Sequence, residues 1–297
     1  MDDDPAAVPP GVRAALSVPC AEPRKPAKAA ALRVDEIVLD LEDAVPVDRK
    51  ETGREIAREY LRGPIHGRTA VRVNAVGTPW CHQDLLMCAS HRGPGLSVVV
   101  PKVESAGDLA FVDRLLTGAE AARGAGPRVG VQALIETAPG LAALAEITRA
   151  TPRLEALVVG YADLSASLGR AQGLHPQRWT GVQDAVIVAA RAAGIRAVDG
   201  PYTGIADDEG FRAFARHSRE AGFDGMWVIH PDQVATATAM FTPMPAEVGH
   251  ATSVLESLER AEREGLGAVT LDGRMVDAAM ALSARRTLAR AGREEAR

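Results

Sequence analysis

The feature that most limits how this sequence can fold is a regular alternation of short β-branched runs with longer stretches rich in Ala, Leu, Glu and Arg. Alternating strands and helices indicate parallel β-α-β units. Eight such units in about 230 residues are typical of a closed (β/α)8 barrel, the TIM barrel. The runs predicted to be strands are 14–18, 36–41, 70–73, 97–100, 130–135, 156–159, 196–198 and 226–229.

A doubly wound open sheet is the alternative α/β fold, and it normally carries a glycine-rich phosphate turn after its first strand. Here the first strand is followed by VPCAEPRKPAKAA, which lacks the G-x-G-x-x-G pattern. We therefore predict a TIM-barrel domain over residues 13–241, preceded by a disordered tail over 1–12. Residues 242–297 are not needed to close a barrel. We expect them to form a helical extension that packs on a neighbouring subunit, or one that caps its own barrel.

Three details of this arrangement can be predicted from composition. The glycine-bearing stretch 118–126 is predicted to be a flexible connection before the fifth strand. Helices are predicted over 231–241, 245–264 and 278–291. Between the last two, the sequence GLGAVTLDGRMVD breaks the helical pattern.

Charge and composition exclude several classes of protein. Asp and Glu number 39 against 34 Lys and Arg, for a net charge of −5, whereas sequence-independent nucleic-acid binding needs a basic face. No apolar run approaches the roughly 18 residues of a membrane span, and the acidic start is unlike a signal peptide. The cysteines, Cys20, Cys81 and Cys88, form no C-x-x-C pair and favour a reducing cytoplasm. We expect a cytoplasmic protein without nucleic-acid or membrane partners, and a buried Cys20.

Polar residues follow the predicted strands at the ends where barrel enzymes place their active sites. Taken singly, each could be a solvated loop charge or a helix cap. Together they place carboxylates and cations at one rim of the barrel. They are Asp40, Glu42, Asp43, Arg72, Asn74, Lys102, Glu104, Glu136, Asp163, Asp199 and His230.

Glu136 and Asp163 follow adjacent predicted strands and indicate a metal site. Two carboxylates completed by water or substrate oxygens are typical of Mg²⁺, and all-oxygen ligation favours Mg²⁺ or Mn²⁺ over Zn²⁺. Arg72 suits a bidentate clamp on a substrate carboxylate. The alternative for Arg72 is a structural ion pair with Asp40 or Glu42, and the two roles are compatible.

Eight motifs occur in register along the chain: RVDEIVLDLEDAVPVDRKETGR, VRVNAVGTPW, VVVPKVES, ALIETAPGL, VVGYADLSASLG, VDGPYT, GFDGMWVIHPDQV and GAVTLDGRMVD. Through them the chain resembles the citrate lyase β-subunit-like family of the HpcH/HpaI aldolase superfamily, from residue 13 to about residue 290. VDGPY, WVIHP and LDGRMVD are most similar to the free-standing malyl-CoA and citramalyl-CoA lyases.

The resemblance implies a TIM barrel that forms trimers or hexamers and binds Mg²⁺ through Glu136 and Asp163. It implies that Arg72 binds the substrate carboxylate. It also implies that the acidic motif, here Asp40, Glu42 and Asp43, lies beside the metal and orders its waters.

Two further segments gain roles from the resemblance. A basic segment that approaches the phosphates of CoA matches Arg24, Lys25 and Lys28. An aspartate that reaches the neighbouring subunit's site, where it would act as acid or base, matches Asp277. The alternative for Asp277 is a cap on the helix that follows it.

The sequence departs from the family pattern at three places. Cys20 stands where VPG is common, Met226 stands where Lys is frequent, and Gly204-Ile205-Ala206 follows VDGPYT. In the family these positions shape the acyl-CoA pocket, so the resemblance does not determine which acyl chain is bound.

The implied activity is Mg²⁺-dependent cleavage or formation of a carbon–carbon bond in a malyl-CoA- or citramalyl-CoA-like thioester. Cleavage would give an acetyl-CoA-type thioester plus glyoxylate or pyruvate, and formation would join them. A 2-oxoacid aldolase without CoA, and a malyl-CoA thioesterase or malate synthase-like enzyme, are alternatives. A non-catalytic subunit is a third possibility, against which the retained Glu136, Asp163 and Arg72 argue.

Overall fold

The computed structural model describes residues 11–63, 67–173 and 175–291. Its eight parallel strands pair in sequence order, and the last closes on the first, so the predicted TIM barrel is confirmed. The strands are β1 (Ala14–Pro19), β2 (Glu36–Asp40), β3 (Arg68–Arg72), β4 (Leu96–Val100), β5 (Gly130–Ile135), β6 (Leu154–Val159), β7 (Arg196–Asp199) and β8 (Gly225–Val228).

Helices follow the strands and surround the barrel. They are α1 (Arg24–Ala29), α2 (Lys50–Arg62), α3 (Cys81–Ala89), α4 (Ala106–Arg123), α5 (Ala138–Ala142), α6 (Leu144–Ile147), α7 (Tyr161–Ser167), α8 (Thr180–Ala192), α9 (Glu209–Ala221) and α10 (Asp232–Phe241). The prediction of a flexible connection over 118–126 is wrong for most of its length, because α4 continues to Arg123. The run AEAAR has high helix propensity, and the helix ends only at Gly124, whose φ is +87°.

Side chains alternate in direction along each strand, so every second residue faces the inside of the barrel. These inward-facing residues form three layers. The layer at the amino ends of the strands is polar and includes Gln132, which donates to Glu36 at 2.9 Å. The middle layer is apolar, with Val38, Leu134 and Trp227 buried in one cluster. The layer at the carboxyl ends is charged again. The middle layer therefore separates this charged rim from the opposite end of the barrel.

The segment after α10 forms a compact extension in which α11 (Pro245–Arg263) packs against α12 (Ala278–Ala291). The extension is not purely helical, so the prediction of a helical extension over residues 242–297 needs correction. Strands β9 (Ala268–Leu271) and β10 (Arg274–Asp277) form an antiparallel hairpin between the two helices. The connecting Asp-Gly pair has φ of +50° and +76°, the positive angles that a two-residue hairpin turn requires.

The extension also contacts its own barrel. Arg219 on α9 pairs with Glu247 on α11 at 2.6 Å, and Arg290 on α12 pairs with Asp224 at 2.8 Å. Asp224 directly precedes β8, so this second contact lies at the amino end of the barrel. The expected packing of the extension on a neighbouring subunit stays a prediction.

The described chain begins at residue 11, inside the expected tail. Residues 1–10 of the expected tail lie outside the described residues, and Val12, at its end, is buried in the barrel. All three cysteines are buried, which confirms the expectation for Cys20. Of the helices that the structure describes, none is long and apolar enough to cross a membrane.

Candidate active site at the carboxyl rim of the barrel

Arg72 and Asp40 form the centre of the charged rim, because the register of β2 and β3 places them side by side. Arg72 donates to both carboxylate oxygens of Asp40, from Nε at 2.8 Å and from Nη2 at 2.7 Å. Its Nη1 lies 3.0 Å from Glu42 Oε2. Burial alone would lower the pKa of Arg72, but the hydrogen bonds and charge of Asp40 outweigh it and raise that pKa. Arg72 is therefore a fixed cation, with two of its five N–H groups not used by these contacts.

The structural pairing predicted as the alternative for Arg72 is thus present. It does not exclude a substrate role, since the bidentate bond to Asp40 fixes the plane of the guanidinium group. A substrate carboxylate would then meet donors that are already oriented.

Lys102 connects two parts of the rim and has a role that the sequence did not reveal. It follows β4 with a φ of +51°, a left-handed conformation that is uncommon for a lysine. In this conformation its backbone N–H donates to Glu136 Oε1 at 2.8 Å, and its ammonium group hydrogen-bonds Glu42. Burial would lower the pKa of Lys102, but Glu42 outweighs it and raises that pKa. Such strain at a strand end is a recognised sign of a functional position.

Glu136, at the end of β5, is 2% exposed. Burial raises its pKa to about 8, and the negative charges of Asp163 and Glu42 add to this effect, while Lys102 opposes it. Its Oε2 packs against Gly160, where any β-carbon would collide with the carboxylate. Burial and the neighbouring carboxylates thus disfavour the charged form of Glu136, and a hard divalent cation bound here would favour it.

Asp163 lies in the first turn of α7, directly after β6, the neighbour of β5 in the sheet. The structure therefore brings the two predicted metal ligands to adjacent strand ends. Within the described residues, no group of three or more His, Cys, Asp or Glu side chains is arranged to hold a metal. A cation here would be completed by water and substrate oxygens, as Mg²⁺ permits.

Glu42 lies between Arg72 and Lys102 and is 6% exposed. Burial raises its pKa, while Arg72 and Lys102 oppose the rise. The loop that carries Glu42 is held by Lys50, whose buried ammonium donates to the carbonyls of Leu41 at 2.9 Å and Glu42 at 2.7 Å. Lys50 is not among the predicted site residues, although a lysine at the start of the helix that follows the acidic motif was a usable signal.

The basic segment lies on α1, just beyond the carboxyl end of β1. Arg24, Lys25 and Lys28 are all exposed, while Pro26 and Ala29 face the core. Lys25 lies 3.4 Å from Glu22, and in the described part of the chain neither Arg24 nor Lys28 forms an ion pair. The three side chains are available to an anionic ligand.

Asp277 is a helix cap in this structure. Its Oδ1 accepts hydrogen bonds from the backbone N–H of Ala279 at 3.0 Å and of Met280 at 3.4 Å. Across the described residues, no hydrogen bond or ion pair joins Asp277 to Arg72 or to the two predicted metal ligands, Glu136 and Asp163, of its own chain. His230 likewise has a local role, since its Nδ1 accepts from the N–H of Asp232 at 3.3 Å.

Comparison with known proteins gives consistent matches. The family model described as HpcH/HpaI aldolase/citrate lyase matches residues 13–231. An L-malyl-CoA/β-methylmalyl-CoA lyase of Rhodobacter capsulatus is 38% identical over 85% of this chain and 86% of its own. A (3S)-malyl-CoA thioesterase of Cereibacter sphaeroides is 37% identical over 94% of each chain. The crystal structure of CitE from Mycobacterium tuberculosis, in complex with magnesium, acetoacetate and coenzyme A, is 32% identical with a TM-score of 0.75, over 97% of this chain and 99% of the other.

Proposed function

We propose that this chain, which belongs to the HpcH/HpaI aldolase/citrate lyase family, is a Mg²⁺-dependent carbon–carbon lyase that cleaves or forms a malyl-CoA- or citramalyl-CoA-like thioester. The observation that carries the proposal is the buried Glu136 carboxylate beside Asp163, at the same rim as the fixed cation Arg72. This rim combines hard oxygen donors with a carboxylate-binding group, which a 2-oxoacid such as glyoxylate or pyruvate needs.

Glu136 and Asp163 would hold the cation, with Mn²⁺ as a possible substitute for Mg²⁺. When bound, the metal supplies Lewis-acid polarisation of the hydroxyl or keto oxygen of the oxoacid unit. Arg72 binds the neighbouring carboxylate, and Asp40 keeps the guanidinium plane in place. Lys102 holds the Glu136 carboxylate through its backbone N–H and Glu42 through its ammonium group.

In the cleavage direction, the substrate hydroxyl gives its proton to a base at the rim and the carbon–carbon bond breaks, so that glyoxylate or pyruvate is formed and the bonding electron pair leaves with the thioester enolate. The enolate must be protonated by a positioned acid. We assign this role to Asp277 of the neighbouring subunit in a trimer or hexamer, and we expect the assembly to be cytoplasmic. The exposed Arg24, Lys25 and Lys28 would bind the phosphates of CoA.

A second candidate function is hydrolysis of the thioester, which the 37% identity to a malyl-CoA thioesterase favours. It would use the same rim but add water to the thioester carbonyl. A 2-oxoacid aldolase without CoA is less well supported, since both named relatives act on CoA thioesters and the solved CitE structure contains coenzyme A.

The test is incubation of the full chain with L-malyl-CoA, with and without Mg²⁺. We expect Mg²⁺-dependent formation of acetyl-CoA and glyoxylate, whereas thioester hydrolysis would give malate and free CoA. Glu136→Gln and Asp163→Asn keep the side-chain shape, remove one charge each, and should abolish turnover. Glu104→Gln is the control, because Glu104 follows the same rim but is exposed. Full activity of the Glu136 and Asp163 variants in the presence of a chelator would refute the metal assignment.

A further inference from the structure

Asp199 is a fully buried carboxylate at the end of β7 that has no part in the reaction outlined above. In the described part of the chain it forms no ion pair, so neutral donors alone compensate its burial. It accepts hydrogen bonds from the hydroxyls of Tyr161 and Ser218, each at 2.5 Å, and from the N–H of Gly200 at 3.0 Å. Burying a carboxylate without hydrogen-bond partners costs free energy. Because these hydrogen bonds compensate that cost, Asp199 is an anchor, that is, a fixed group that holds its donors in place.

Tyr161 connects this anchor to the metal site. It is the first residue of α7 and stands two residues before Asp163. Its hydroxyl donates to Asp199 and accepts from Gln183 Nε2 at 2.8 Å. The ring also packs against Trp179, with centroids 5.0 Å apart. The first turn of α7 is thus tied to the end of β7 as well as to β6.

Close packing at the strand ends leaves little room for this turn to move. A β-carbon at Gly200 would collide with the carbonyl oxygen of Val159 and the ring of Tyr161. A β-carbon at Gly160 would collide with Glu136. Three successive strand ends therefore lie in contact, and a displacement of Tyr161 would change the position of Asp163 relative to Glu136.

We propose that the hydrogen bond between the Tyr161 hydroxyl and the Asp199 carboxylate positions Asp163 for metal binding. Tyr161 and Asp199 are positioning residues and touch neither metal nor substrate. The inference rests on the metal site proposed above. Metal–ligand distances are held within about 0.2 Å, and loss of a group that orients a ligand typically lowers metal affinity by about 10- to 100-fold.

The experiment compares two variants that each remove one hydroxyl from the same carboxylate. Tyr161→Phe keeps the ring contacts but frees α7 from Asp199, whereas Ser218→Ala removes a bond that comes from α9. Binding of Mn²⁺ to the full chain is measured without substrate, from the electron paramagnetic resonance signal of free Mn²⁺. We expect Tyr161→Phe to weaken Mn²⁺ binding about 10-fold or more and Ser218→Ala to leave it unchanged.

A second measurement separates positioning from general loss of structure. In Tyr161→Phe the Mg²⁺ concentration for half-maximal activity should rise, while kcat at saturating Mg²⁺ returns close to that of the wild type. Circular dichroism and thermal unfolding confirm that both variants fold. Wild-type Mn²⁺ affinity in Tyr161→Phe, or an equal loss in Ser218→Ala, would overturn the inference.

Asp163→Asn, measured in parallel, distinguishes failure of the positioning role from failure of the proposed metal site. If it loses Mn²⁺ binding while Tyr161→Phe does not, the positioning role alone is wrong. If Asp163→Asn binds Mn²⁺ as the wild type does, the proposed metal site is wrong, and the positioning role is overturned with it.

Discussion

Replacing Arg72 with lysine tests whether the substrate carboxylate needs the paired donors of the guanidinium group or only a positive charge. The guanidinium makes two hydrogen bonds to Asp40 and one close contact to Glu42, and Asp43 Oδ2 lies 3.6 Å from its Nη1. Two of its N–H groups are not used by Asp40 or Glu42, and we propose that they bind a substrate carboxylate. A lysine at this position keeps the charge but cannot present two parallel donors. A hydrogen bond to a charged group contributes about 1.5–3 kcal/mol, and about 1.4 kcal/mol is a factor of ten. Arg72→Lys should therefore raise the KM for the oxoacid between about 10-fold and 150-fold.

The same substitution four residues earlier is the matched control. Arg68 begins β3, as Arg72 ends it, and pairs with Glu36 and Glu155 in the polar layer at the opposite end of the barrel. Arg68→Lys should lower the thermal midpoint but leave the KM for the oxoacid unchanged.

The assay varies glyoxylate at saturating acetyl-CoA for both lysine variants, and calorimetry gives the affinity for CoA. We expect CoA affinity to be nearly unchanged in Arg72→Lys. A loss of CoA affinity with an unchanged KM for glyoxylate would refute the clamp and leave Arg72 as a structural partner of Asp40.

Three further predictions address other parts of the chain. Replacing Arg24, Lys25 and Lys28 with alanine should weaken CoA binding in calorimetry and leave pyruvate binding intact; unchanged CoA affinity would favour the aldolase without CoA. Asparagine caps helices as well as aspartate, so Asp277→Asn should fold but be inactive. Co-expression with Arg72→Ala should restore activity in mixed oligomers, and no recovery would place Asp277 in its own subunit's site or reduce it to a cap. Burial raises the pKa of Cys20 and Cys81 to about 12 and that of Cys88 well above its usual value. The native thiols should therefore not react with Ellman's reagent at about pH 8 until the protein unfolds, and rapid labelling of native protein would contradict their burial.

The strands and the charged rim could be predicted from sequence, because buried parallel strands are continuous apolar runs whose carboxyl ends all meet at one rim. The side-by-side placement of Asp40 and Arg72 follows from this, since each ends its strand. The β9–β10 hairpin was missed even though Asp272-Gly273 is a strong turn signal between two short apolar runs.

Other features depend on tertiary contacts that no local pattern encodes. The left-handed conformation of Lys102 is stabilised by Glu136, which is 34 residues away along the chain. The bond between Tyr161 and Asp199 joins residues 38 apart, and the pairing of β6 with β7 brings them together. For Asp277, the sequence left a cap and a shared site as alternatives. The hydrogen bonds of a single chain show the cap.

The most direct test of the central claim is whether the protein forms a carbon–carbon bond at the α-carbon of a CoA thioester in a Mg²⁺-dependent way. Acetyl-CoA with a fully deuterated methyl group is incubated with glyoxylate and Mg²⁺, and the thioesters are analysed by mass spectrometry. Condensation removes one deuteron from the methyl group and adds glyoxylate at that carbon. We therefore predict malyl-CoA carrying two deuterons, formed by the wild type but not by Glu136→Gln or in the presence of a chelator. Recovery of unchanged acetyl-CoA with glyoxylate, and likewise with pyruvate, would contradict the proposed reaction.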